Sequence, residues 1–274
     1  MFIPPQFTRV FIFMDFGFGA SLPVVQAQLA AAGSGAQALV NTANDDDEFP
    51  LFACVKSYAL DQDAKVAIAQ VLLDAGAEID VLNGDDGRTA LMSACDDLNV
   101  GMVITLLDRG AKAGLCTPDF ETPLTHALTD TNNDDDSKVA DQTEICRLLT
   151  ARCSKAELDF ADADGMDLLS LFARFTNNHS AAAAEVAMVL LNAGTNPNLM
   201  AGRTGKSALT EAIENDFSAL ASVLIKHGVD LQPQPFVRPA TDDDEDSNDD
   251  AVDAEQPLEV AASKGAFSIV CELL

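Results

Sequence analysis

The chain has no tryptophan, one tyrosine and three histidines among 274 residues. His126, His179 and His227 stand far apart, so no Ser/His/Asp or Cys/His set for nucleophilic catalysis can be assembled around them. Basic residues are scarce: 16 Lys and Arg face 44 Asp and Glu, for a net charge of −28. That balance excludes bulk attraction to nucleic acid or to an anionic membrane, both of which need basic surface. A protein partner with a basic surface is the natural complement, although solubility alone accounts for the charge equally well. None of the six cysteines forms a Cys-x-x-Cys pair, and Cys146 and Cys153 have no histidine at ligand spacing. They read as buried free thiols of a cytoplasmic, reducing compartment. No apolar run approaches the roughly 18 residues a spanning helix requires. The phenylalanine-rich start, Met1 to Gly19, is broken by Pro4, Pro5, Arg9 and Asp15 and lacks the layout of a signal peptide. No residue pattern implies a metal or cofactor.

What is abundant is apolar residue, 48% of the chain, arranged with a period. Gly87-Arg88-Thr89-Ala90-Leu91, then Met102-Val103, Leu106-Leu107 and Gly110-Ala111, recurs along the sequence. The leucine of each Thr-x-Leu-like unit and the first residue of its later apolar doublet mark the repeats. Leu91/Leu106, Leu209/Leu224 and Leu258/Leu273 are each 15 residues apart. Leu51/Leu72, Leu124/Leu148 and Leu169/Leu190 exceed that by 6, 9 and 6 residues. From a doublet to the next unit the gaps are 19, 18, 21, 19 and 34 residues. The shortest spacings give a period of about 33 residues. A helical pair of that size cannot bury its own apolar face, and stacked neighbours must do so.

At these residues the chain resembles the ankyrin-repeat family. Thr122-Pro123-Leu124 carries the family's Thr-Pro-Leu signature, and Phe49-Pro50-Leu51 is a variant of it. Gly205-Lys206-Ser207-Ala208-Leu209 and Gln256-Pro257-Leu258 are looser matches, and Ile269 to Leu274 fits the second-helix pattern. The resemblance covers roughly 49–274. It implies an all-α solenoid of stacked helix–turn–helix units with acidic disordered insertions. The expected organisation is a degenerate N-terminal repeat or cap and acidic linker over 1–48, and about five repeats over 49–231. An acidic disordered insertion over 232–255 and an incomplete final repeat over 256–274 follow.

Within that frame, Leu22 to Ala32 is expected as the second helix of the degenerate repeat, stopped by Gly33, with Val24, Val25 and Leu29 inward. Thr89 is placed to cap a first helix, and Leu91, Ala94 and Cys95 share one face. Gly76, Gly110, Gly194 and Gly228 stop second helices where left-handed backbone is tolerated. Arg152 replaces glycine in the third unit, which predicts a strained or rerouted helix end. Three polar stretches, Asn41–Glu48, Thr129–Gln142 and Gln232–Glu255, carry aspartate runs and are expected as disordered loops. The stripe of Ile269, Val270, Leu273 and Leu274 has no following turn, which implies either more chain or a partner against it.

Three motifs invite chemistry and fail on their spacing. Gly202-Arg203-Thr204-Gly205-Lys206-Ser207 ends like a phosphate-binding loop, but Met200 stands where such a loop needs glycine. Its last three residues align with Gly87-Arg88-Thr89, a helix cap. Asp15-Phe16-Gly17 lacks every other element of a kinase. A calcium loop on Asp162-Ala163-Asp164-Gly165 would put Phe160 first and Leu171 twelfth, where carboxylates are required.

What remains is a surface. The resemblance implies that partners dock on the concave side, made by finger tips and the solvent side of the first helices. The fingers carry Asp85, Asp86, Pro118, Asp119, Ala163, Asp164 and Arg203. The residues before the caps are Arg88, Glu121, Met166 and Lys206. The first helices add Asp96, Asp97, Thr129, Asp130, Arg174, Phe175, Glu214 and Asn215. The second and third units thus present a mostly acidic strip, and the fourth and fifth a mixed one. The function implied is non-catalytic protein–protein recognition. Alternatives are the recruiting portion of a longer kinase or ubiquitin ligase, or a drifted product with no selected partner.

Overall fold

The computed structural model describes residues 21–44, 47–83, 87–129, 136–162, 165–176, 180–199, 205–232 and 256–274. The chain divides into two compact units, Met1–Pro118 and Asp119–Leu274. The described residues of the first hold α1 (Leu22–Ala32), a 3-10 turn (Gly33–Gly35), α2 (Ala36–Val40), α3 (Pro50–Lys56), α4 (Gln62–Asp74), α5 (Ala90–Asp96) and α6 (Val100–Asp108). The second holds α7 (Pro123–Thr129), α8 (Asp136–Thr150), α9 (Lys155–Leu158), α10 (Leu168–Phe175), α11 (Ala184–Ala193), α12 (Ala208–Glu214), α13 (Ser218–Lys226), α14 (Pro257–Lys264) and α15 (Phe267–Leu273). The architecture is all-α; β pairing among the described residues is limited to single bridges, Asn83 with Arg88 and Ala161 with Asp167.

Within each unit like packs on like. In the first, α3 lies on α5 and α4 on α6, with α1 against α4. In the second, α7, α10, α12 and α14 form one row, and α8, α11, α13 and α15 another. The apolar period explains the rows. Leu91, Ala94, Cys95, Met102, Val103 and Leu106 are all buried, and each large side chain so buried contributes about 1.5–3 kcal/mol.

Helix ends follow a second rule. The hydroxyls of Thr89 and Ser207 accept from Met92 N–H and Thr210 N–H, each at 3.2 Å, satisfying donors the helix leaves orphaned. At the other end, Gly110 adopts φ 95°, its N–H donates to the Leu107 carbonyl, and Ala111 N–H reaches back to Leu106. Gly76, Gly194 and Gly228 close α4, α11 and α13 in the same way. The first helices use this closure too. There the left-handed residue is Leu98 after α5, Asp216 after α12 and Gly265 after α14.

Successive repeats are also laced through side-chain oxygens. Glu78 N–H donates to Asn41 Oδ1 (2.7 Å), Lys112 N–H to Asp80 Oδ1 (3.1 Å), Asn196 N–H to Asp159 Oδ1 (3.2 Å) and Asp230 N–H to Asn198 Oδ1 (2.7 Å). Asp80 and Asn198 stand four residues after stop glycines, a spacing that sequence reading could have used.

Several expectations need correction. Val24 is 38% exposed while Val25 and Leu29, four residues apart on one face of α1, are buried. α8 begins at Asp136, well inside the stretch expected as loop, and Val139 and Gln142 are buried in it. The Gln142 amide donates to the Ala127 carbonyl at 2.7 Å, so a buried anchor overrides the local charge. Asn41 bridges to the Gly76 carbonyl, and Asn44 accepts from Glu48 N–H, so the described part of that acidic linker is hydrogen-bonded rather than loose. Of the doublet marked by Leu148, the fully buried residue is its second, Leu149. Arg152 is not left-handed; the chain turns through Cys153 N–H to Leu149 O and enters α9, which Ser154 and Glu157 open as a reciprocal capping box. The phenylalanine-rich start, Met1–Gly19, and the run 233–255 lie outside the described residues.

Candidate functional site

The residue before each helix cap faces the residue eight positions on, at the end of the same first helix. Glu48 Oε1 meets Lys56 Nζ at 3.0 Å, and Arg88 Nη1 meets Asp96 Oδ2 at 3.2 Å. Lys206 Nζ donates to both carboxylate oxygens of Glu214 at 2.7 Å. In the fourth repeat the same two places hold Met166 and Arg174, whose Nη1 lies 3.5 Å from the sulfur. The third repeat departs: Glu121 pairs with His126 Nε2 at 3.2 Å, and the Thr129 hydroxyl donates to the Thr125 carbonyl.

One residue further on, side chains tie neighbouring repeats together. Asp97 accepts from Lys65 at 3.1 Å, and the Lys65 side chain is only 7% exposed. Asn215 donates to the Ala173 carbonyl at 3.3 Å. Asp96, Asp97, Glu121 and Glu214 are therefore all engaged within the chain. The strip expected to be mostly acidic is locally neutralised at Asp96 and Asp97, which meet Arg88 and Lys65, whereas Glu121 meets only a histidine. Half-exposed pairs of this kind contribute about 0–1 kcal/mol, so they set geometry more than stability. Pro118 and Asp119 are exposed. Asp85, Asp86, Asp130, Ala163, Asp164 and Arg203 lie outside the described residues. Sequence reading missed Lys65, Glu48 and Lys56; the eight-residue register of opposite charges was the available signal.

The phosphate-loop resemblance dissolves at Ser207 and Lys206. The Ser207 hydroxyl is 3% exposed and spent on the α12 cap, while Glu214 clasps the Lys206 ammonium. Asp167 takes the cap position in the fourth repeat. One of its carboxylate oxygens accepts from Leu169 and Ser170 N–H, and the other from the Ser170 hydroxyl at 2.6 Å. Burial, opposed by these hydrogen bonds, pushes this carboxyl above the ordinary aspartate value. Burial likewise drives the Cys54 and Cys146 thiols up to about 12, which leaves them protonated and unreactive. Among the described residues no group of His, Cys, Asp and Glu is placed to hold a metal ion. No described helix is long and apolar enough to cross a membrane.

Capped helix pairs, glycine or left-handed closures and a 33-residue cadence define a class, and solved structures place this chain in it. Its fold is the ankyrin-repeat fold. The chain is similar to the ankyrin repeat domain of Bcl-3, described as a unique member of the IkappaB protein family, with a TM-score of 0.65 and 22% sequence identity over 92% of each chain. No family model and no curated protein matches the sequence.

Proposed function

We propose that the chain is a non-catalytic protein-recognition scaffold that binds a protein partner on the side formed by finger tips and first helices. One observation supports this above the others. In the second, third and fifth repeats the inner positions are filled by alanine and leucine, while the pre-cap residues Arg88, Glu121 and Lys206 and the helix-end residues Asp96, Thr129 and Glu214 are polar and lie outside the core; in the fourth repeat Phe172 fills the inner position and the pre-cap Met166, expected on the partner-facing side, is buried. The core does not need those side chains, so their identity is free to serve a partner. The cytoplasmic setting rests on the six cysteines, all free thiols. Acidic fingers steer a partner with a basic surface, an effect of charge on encounter rather than on packing.

The test is capture of partners by the full chain at low and high salt, identified by mass spectrometry, followed by charge reversal. Asp85→Lys, Asp86→Lys and Asp119→Lys spare Asp97, whose carboxylate holds the buried Lys65. The triple variant is expected to weaken capture about tenfold and to flatten its salt dependence. Equal capture with an equal salt slope would remove the acidic fingers from the interface.

A further inference from the structure

We propose that Arg174, Phe175 and Lys264 form a docking patch for an acidic, leucine-bearing segment of a protein partner; the proposal rests on the recognition function above and names the partner chemistry for one part of the surface. Elsewhere in the eight-residue register the cation is matched by a carboxylate: Lys56 by Glu48, Arg88 by Asp96, Lys206 by Glu214. Arg174 is not. Its guanidinium lies over the exposed Phe175 ring, 5.7 Å from the centroid, and sends one N–H towards the Met166 sulfur. A guanidinium has five N–H donors, and thioether sulfur is a weak acceptor, so most of its hydrogen-bonding capacity points at solvent. The ring pre-organises the side chain and supplies an apolar floor beside the charge.

Lys264 belongs to the same patch. Its ammonium sits on the Glu214 backbone carbonyl at 2.9 Å, and the next residue, Asn215, is bonded to the Ala173 carbonyl beside Arg174. Arg174, the Lys206–Glu214 pair and Lys264 thus gather at the ends of α10, α12 and α14. The Glu214 carboxylate of that set, half-buried, is already neutralised by Lys206. Glu211 is buried, and Asp216 and Glu259 are exposed; among the described residues none forms an ion pair with Arg174 or Lys264. Two cations with no carboxylate partner among the described residues are therefore displayed on a chain whose net charge is −28. At an ionic strength near 0.1 M the field decays over about 10 Å, so the near charges decide which sign binds here. Arginine and aromatic side chains together are the usual anchors of an interface.

The experiment measures binding of a fluorescent peptide repeating Glu-Glu-Leu-Gly to the full chain, beside Lys-Lys-Leu-Gly and Gln-Gln-Leu-Gly controls, at ionic strength of about 0.15 M. The acidic peptide is expected to bind, with Arg174→Gln weakening it at least about tenfold and Lys264→Gln about threefold. Phe175→Ala should weaken the acidic peptide while Phe175→Tyr retains it. Thermal unfolding of each variant reports whether the fold is intact; Arg174 is exposed, so an unchanged Tm is expected. Failure of the acidic peptide to bind, or binding indifferent to Arg174→Gln, overturns the patch. Retained capture of partners by Arg174→Gln would leave the scaffold function standing, whereas loss of capture by every surface variant and by wild type would remove both.

Discussion

Two repeats of one period make the same backbone from different chemistry. The fifth, over 205–229, caps α12 with a serine hydroxyl, fills the inner position five residues later with Ala212, and pairs Lys206 with Glu214. The fourth, over 165–195, caps α10 with a buried carboxylate, puts Phe172 at that inner position, and leaves Arg174 against sulfur and a ring. The second and third repeats side with the fifth at the inner position, holding Ala94 and Ala127. The period fixes where a side chain must go and how much space it shares with its neighbour. It does not fix the chemistry that fills the space.

The largest test of that contrast is Phe172→Ala. Phe172 is fully buried and meets the Phe217 ring at 5.9 Å in a tilted contact. Copying the alanine of the other repeats into this place should cost about 3–5 kcal/mol in urea unfolding. A loss under about 1 kcal/mol would mean that the fourth repeat closes around small residues as readily as the others do.

An intermediate effect is expected at Asp167. Its carboxyl titrates above the ordinary value in the folded chain, so folding takes up a proton there. The stability so contributed is fully present below about pH 4 and is lost as pH rises through the raised value. Asp167→Ser, which copies the Ser207 cap, removes this dependence. Wild type should lose stability relative to the variant between acid and neutral pH, read from denaturation curves across the range. A constant difference would refute the assignment.

The smallest effect belongs to the turn between helices. Asp216 holds φ 59° and is exposed, where the last repeat has Gly265 at φ 71°. Asp216→Gly removes left-handed strain but frees the unfolded chain, for a net gain of about 0.5 kcal/mol. A measurable loss would show that the Asp216 side chain contributes something the backbone argument omits.

The cadence of the fold was legible because apolar spacing reports directly on which residues turn inward. Leu91, Met102, Leu106 and Leu224 needed no other information. The start of α8 was not legible, because Val139 and Gln142 are isolated signals behind an aspartate run and only the Ala127 carbonyl reveals their use. Left-handed Leu98 carried no local mark either, since leucine does not favour that backbone, and Asp216, although of a type enriched there, is one aspartate in a chain rich in them. The candidate surface was legible as a set of positions. Its charge was not: Asp96, Asp97 and Glu214 read as free acids until the helices brought Arg88, Lys65 and Lys206 to them.

The side-chain oxygens of Asn41, Asp80, Asp159 and Asn198 each receive an amide from a residue later in the chain. At these four places the lacing has a direction, opposite to that of the Phe49 N–H donated to Asn83 Oδ1. Because polypeptides emerge from synthesis amino end first, every acceptor of this kind exists before the donor that will use it. At these four places a newly made helix pair meets an acceptor already in position, so ordering there can keep pace with elongation instead of awaiting the finished molecule.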